Sequence, residues 1–202
     1  MRTLMGLSQW TPCWRPKAPP ALSSSHIIAV DASQHGYGFI YRPPTTGDQP
    51  QKILTCSRKW PAQSSYYAPT LATLDEQFHR EVWGLHLTLQ ELFGDMAQYF
   101  SASVFLITDV SGICRSIQRR YTSSPLLMDI IVDLERQTQL HNITFTCSWG
   151  PGGDAHPADA LSRALHHSTK WVSHTDPSIT DFDDYCGSSY NWFMKEFQAE
   201  PL

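Results

Sequence analysis

The chain has 202 residues, 41% of them hydrophobic, which is enough for one ordinary domain with a sizeable core and some appendage. Its formal net charge of −4 is unevenly spread: Asp176, Asp181, Asp183, Asp184, Glu196 and Glu200 face a single base, Lys195, within residues 171–202, leaving 13 acids and 14 bases in residues 1–170, so a polyanionic partner is not excluded. No apolar run approaches the roughly 18 residues of a membrane span, and five scattered cysteines without a C-x-x-C pair offer no zinc site and favour reduced thiols in an intracellular setting, cytoplasmic or nuclear.

Residues 1–25 combine Trp10 and Trp14 with Pro12, Pro16, Pro19, Pro20 and the run Ser23-Ser24-Ser25. That composition predicts an extended arm or linker, and it lacks the continuous apolar stretch of a signal peptide. From His26 the pattern is β: His26–Asp31 is apolar on both faces, as in a central strand, Gln34-His35-Gly36 turns, and Tyr37–Arg42 runs back. Pro43 to Pro50 is a loop before a third antiparallel strand at Lys52–Ser57. The longest helix is expected over about Leu71 to Phe93, where Leu74, Phe78, Leu85, Leu89 and Leu92 form an amphipathic stripe. Glu81 falls on that stripe, three residues after Phe78 and four before Leu85, and so faces the core.

A fourth strand, Ser103–Thr108, ends at Asp109, and a short helix follows over Ser111–Arg120. Ser124-Pro125 offers a cap with proline in the first turn of a helix carrying Leu127, Ile130, Ile131 and Leu134. Asn142–Trp149 reads as the fifth strand, closed by Gly150-Pro151-Gly152-Gly153, and a last helix is expected from Pro157 to His167. A meander followed by α/β crossovers predicts an α/β fold: a mixed five-stranded sheet, three antiparallel strands then two parallel, flanked by helices. The domain spans residues 26–167. Residues 168–202, acidic and aromatic, read either as a tail or as a partner-docking segment, and removal of residues 171–202 is expected to leave folding intact.

Four acids stand out by position. Asp31 and Asp109 end buried strands, Glu81 lies on an apolar stripe, and Asp159 opens the last helix. Burial and like charge both oppose ionisation of such groups. Two carboxylates 4 Å apart repel by about 4 kcal/mol at an effective dielectric near 20. Hard divalent cations would relieve that repulsion, and an all-carboxylate set suits Mg²⁺, with Mn²⁺ able to substitute. A helix cap at Asp159 and a turn at Asp31 are the plainer readings of two of these residues, but they leave Glu81 and Asp109 unexplained.

The chain resembles the ribonuclease H domains of retroelement reverse transcriptases, LTR-type retrotransposon and pararetrovirus members among them. The resemblance rests on Asp31-Ala32-Ser33 with Gly36 and Gly38, on Ser57-Arg58, on Arg80-Glu81-Val82-Trp83-Gly84-Leu85, and on Ile107-Thr108-Asp109. It closes with Pro151-Gly152 and Ala158-Asp159-Ala160-Leu161-Ser162-Arg163, the most specific stretch. It implies a ribonuclease H-like fold and metal-dependent endonuclease hydrolysis of the RNA strand of an RNA–DNA hybrid with two Mg²⁺ ions, next to a reverse transcriptase domain. Asp31 would bridge the ions, Glu81 and Asp109 would complete one position, and Asp159 the other. Ser33, Gln34 and the backbone near Gly36 are candidates for hybrid 2′-hydroxyl contacts, and Arg115, Arg119, Arg120 and Arg163 for phosphate. The family's asparagine before the last aspartate is replaced by Ala155 or His156, and the loop before the last helix is short. His156 either serves as an auxiliary residue or caps the helix. A non-catalytic ribonuclease H-fold module that links or docks other domains is the alternative, and a DNA-acting nuclease of the same fold is the third reading.

Overall fold

The computed structural model describes residues 21–45, 52–60, 77–94, 101–173, 176 and 181–198. Most of the arm expected over residues 1–25, and the start of the helix expected from Leu71, lie outside the described residues. Six strands form one sheet: β1 (His26–Ala32), β2 (Gly36–Arg42), β3 (Lys52–Lys59), β4 (Ser103–Thr108), β5 (Thr144–Trp149) and β6 (Ser168–Ser173). Their order is β5-β4-β1-β2-β3-β6. β1, β2 and β3 form the antiparallel meander, and β4 and β5 join parallel to β1 on its other side. The mixed α/β class with flanking helices therefore stands. One correction is the sixth strand, which pairs antiparallel with β3.

Five α-helices complete the described fold: α1 (Gln77–Phe93), α2 (Ser111–Arg119), α3 (Pro125–His141), α4 (Asp159–Ser162) and α5 (Phe182–Gln198). One face of the sheet presents Ile28, Val30, Leu106 and Cys147 to Val82 and Leu85 of α1, Ile113 and Ile117 of α2, and Leu127, Ile131 and Leu134 of α3. The opposite face presents Ile27, Ala29, Ile40, Phe105 and Ile107 to Phe182, Tyr185 and Cys186 of α5. The alternation along β1 and β4 is the two-residue period of a strand buried on both sides.

Local signals account for the boundaries. Ser124 Oγ accepts from the Leu127 N–H, and Pro125 occupies the first turn of α3, as the sequence requires. Asn142 closes that helix in the left-handed conformation (φ 54°), so β5 begins at Thr144 and not at Asn142. The helix expected from Pro157 to His167 is only the single turn of α4. Beyond Arg163 the chain leaves to reach β3, where Ser57 pairs with Ser168. The segment expected beyond the domain, 168–202, thus supplies β6 and α5. Phe182, Cys186 and Phe193 are at most 2% exposed, so this is core and not tail.

Candidate active site

The parallel register of β1 and β4 fixes the first pair of acids. Ala29 pairs with Ile107, so two residues further on Asp31, still paired with Gly38, stands beside Asp109, just past the end of β4. Glu81 arrives from α1, which lies close to the sheet because Gly84, one turn later on the same face, has no side chain. A Cβ at Gly84 would sit 3.2 Å from the Cβ atoms of both Ala32 and Tyr37. Carboxylate oxygens of Asp31, Glu81 and Asp109 lie within 4.8 Å of one another.

Asp159 is brought near these three but does not belong to the set. Its two oxygens accept from Arg163 Nε and Nη2, each at 2.8 Å. Its charge is nonetheless felt, since it raises the proton affinity of both Asp31 and Asp109. α4 itself is seated by Gly38, where a Cβ would lie 2.5 Å from Leu161 Cβ and from the Ser162 nitrogen. That close approach carries the Ser162 hydroxyl to 2.5 Å from Asp31 Oδ2, with the Asp159 carbonyl at 2.9 Å as the alternative acceptor for its one proton.

The electrostatics of the cluster are those of crowded, poorly solvated acids. Burial, then the charges of Asp31 and Asp109, push Glu81 up to about 9, although the Ala32 N–H and Gln77 Nε2 donate to its Oε1. Burial raises Asp31 to about 6, opposed by the Ser162 hydrogen bond and reinforced by Asp109 and Asp159. Asp109 is also raised, first by burial. Glu81 Oε2 and Asp109 Oδ1 are buried with no hydrogen-bond partner among the described residues. Buried carboxylate oxygens without donors, on residues crowded by like charge, fit hard divalent cations. The donor set of oxygens alone favours Mg²⁺ or Mn²⁺ over softer metals.

The other predicted residues are placed as follows. Ser33 is turned inward: its hydroxyl donates to the Ser162 carbonyl at 2.7 Å and accepts from the His35 N–H. Gln34 is exposed at the turn after β1. Gly36 is buried, and a side chain there would collide with the Arg58 carbonyl, so close strand packing explains it. Arg115 pairs with Glu196 and Arg120 with Glu135, both at 2.8 Å, while Arg119 is exposed on α2. His156 is 2% exposed, and its Nδ1 accepts from the N–H of Ala158, the residue that precedes α4, at 3.2 Å. Burial pushes it down to about 4, so it is neutral at pH 7.

Sequence reasoning missed Ser162, Gln77 and Tyr185 as neighbours of the acids. Tyr185 is 8% exposed, and burial and the Asp109 charge hold its phenol above the usual range. The signal that could have found it is the spacing of Phe182, Tyr185, Cys186, Ser189 and Phe193, a helical stripe inside an acidic segment. A groove of about 410 Å³ between α1 and α3, lined by His86, Phe93, Ile130, Asp133 and Leu134 among others, includes none of Asp31, Glu81, Asp109 and Asp159.

No family model matches the sequence, and no curated protein matches it. Among solved structures, the chain is similar to LC11-RNase H1 in complex with an RNA/DNA hybrid, at 17% identity, TM-score 0.41, with 68% of this chain and 93% of that one covered. It is also similar to RNase H1 from the halophilic archaeon Halobacterium salinarum NRC-1, at 15% identity, TM-score 0.41, with coverages of 70% and 96%. Likeness at this level carries no functional argument, which has to come from the carboxylates themselves.

Proposed function

We propose that the chain is a metal-dependent endonuclease that hydrolyses the RNA strand of RNA–DNA hybrids, as the ribonuclease H of a retroelement with an adjacent reverse transcriptase domain. The observation that carries the reading is the convergence of Asp31, Glu81 and Asp109, from two strand ends and a helix, with two buried oxygens lacking donors. The retroelement context is supported by Ala158-Asp159-Ala160-Leu161-Ser162-Arg163, which here forms the turn of α4 against β1 and β2.

Asp31, Glu81 and Asp109 would hold the cations, with Asp159 joining once its oxygens are shared with Arg163. Bound divalent ions supply charge neutralisation and activation of a water for in-line displacement at phosphorus. The residues of this chain do the rest. The Ser162 hydroxyl orients Asp31, Gln77 and the Ala32 N–H orient Glu81, and the exposed Gln34 and Arg119 would be open to contact with the hybrid. Discrimination against DNA would come from 2′-hydroxyl contacts in a wide minor groove.

One observation favours the second reading, a non-catalytic linking or docking module: Asp159 is fully engaged by Arg163. The deciding experiment is incubation of the full chain with labelled RNA–DNA hybrid, duplex RNA and duplex DNA in Mg²⁺ or Mn²⁺. The expected result is metal-dependent cutting of RNA in the hybrid alone. Metal binding without any cleavage would favour the docking module, and cleavage of duplex DNA would favour the third reading.

A further inference from the structure

We propose that Tyr185, on the C-terminal helix α5, is a positioning residue for the acidic cluster: it fixes the turn after β5, and that turn fixes the carboxylate of Asp109. The inference rests on the reading above that the cluster binds divalent cations.

The turn is built against Asp109. A side chain at Gly152 would run into Asp109 Oδ2, and Gly153 follows in the left-handed conformation (φ 63°) that favours glycine. Trp149 Nε1 donates to the Asp109 carbonyl at 2.8 Å, and the Gly150 N–H donates to the Thr108 carbonyl at 3.1 Å. The contacts of Trp149 and Gly150 thus set where the Asp109 backbone stands, and the close approach of Gly152 limits which way its carboxylate can rotate.

The other side of the turn is Tyr185. Its hydroxyl donates to the Pro151 carbonyl at 3.2 Å and occupies the space that a Gly150 side chain would need. Its ring meets His156 edge-on, at a centroid distance of 5.2 Å and an interplanar angle of 70°. His156 in turn accepts from the Ala158 N–H, immediately before Asp159. A single side chain therefore touches both ends of the segment that leads from the wall behind Asp109 to Asp159. The helix that carries it is held on β5 by Ser148 Oγ, which donates to the Ser189 carbonyl at 2.6 Å, and within the helix Ser189 Oγ donates to the Tyr185 carbonyl at 3.0 Å. The Arg115–Glu196 pair ties its far end to α2.

Tyr185→Phe separates positioning from packing, because the ring and its contact with His156 remain while the Pro151 carbonyl loses its donor. Tyr190→Phe is the control, on the same helix but against Phe105. Two readouts on the full chain decide the matter. Amide hydrogen exchange over residues 149–153, without metal, should accelerate in Tyr185→Phe and not in Tyr190→Phe. Mn²⁺ affinity by calorimetry should fall roughly three- to ten-fold, the equivalent of one lost hydrogen bond, with the melting temperature little changed. Unchanged exchange, or faster exchange with wild-type Mn²⁺ affinity, would overturn the proposal. Should Tyr185→Phe fail to fold, Gly152→Ala tests the same wall directly: wild-type Mn²⁺ affinity in that folded variant would overturn it. A wild-type chain that binds no Mn²⁺ would instead remove the nuclease reading, and the exchange comparison would then decide the turn-fixing role alone.

Discussion

Asp109 is the residue whose substitution separates chemistry from folding most cleanly. It is half-buried, its Oδ1 has no donor among the described residues, and its ionisation is opposed by burial and by Asp159. Asp109→Asn removes a charge that the metal-free fold tolerates poorly. The variant is expected to lose hybrid cleavage while its stability is unchanged or higher by about 1 kcal/mol, by urea denaturation without metal. Full cleavage by the variant would take Asp109 out of the mechanism. At this scale the sequence was legible where chemistry and periodicity conflict, as at Glu81 on an apolar stripe or Asp109 at a strand end. It was silent where partners are remote. Ser162 reaches Asp31 across 131 positions, a relation that no local pattern encodes. Ser33 and Gly36 show the converse. Considered for substrate contact from the turn they occupy, they also serve the fold: the Ser33 hydroxyl donates to the Ser162 carbonyl and Gly36 permits close strand packing.

The elements divide in the same way. The meander, α3 and β4 were legible because their apolar positions repeat at a strand or helix period and their ends carry caps or turns. β6 was not, because Thr169, Lys170 and Trp171 are exposed and the strand shows little apolar content; its pairing with β3 alone defines it. α5 was obscured by Asp183 and Asp184, which read as a solvated tail yet favour the N-terminal turn of a helix. The expectation that residues 171–202 are dispensable is therefore reversed. Phe193 is fully buried, and Phe193→Ala should cost about 3–5 kcal/mol in urea unfolding. Truncation before Phe182 should abolish the cooperative transition. A truncated chain that melts like the full one would show that α5 contributes nothing to the core.

For the whole molecule, the raised acids make stability depend on pH in a defined sense. A carboxyl whose folded value lies above its unfolded one binds more protons in the native state, so stability falls as pH rises between the two. Asp31, raised to about 6, acts mainly below neutrality, where buried His156, lowered to about 4, contributes the opposite slope up to about 6.5. Glu81, raised to about 9, continues to act above that crossover. Metal-free protein is expected to lose stability from pH 7 to 8 with a slope approaching about 1.4 kcal/mol per pH unit. Saturating Mn²⁺ should flatten the slope, and Glu81→Gln should remove it. A metal-free unfolding curve independent of pH in this interval would contradict the placement of Glu81.

The order of segments along the chain has a consequence for synthesis. A ribosome that has just released Asp159 has made every candidate acid, but neither the strand that extends the sheet nor the helix whose tyrosine backs the Pro151 turn. Until Phe182–Gln198 emerges, Ile27, Phe105 and Ile107 lack the cover that Phe182, Tyr185 and Cys186 provide. Assembly of the cluster is thus tied to late translation, and a nascent polypeptide stalled short of that helix would carry the acids without the means to hold them in place.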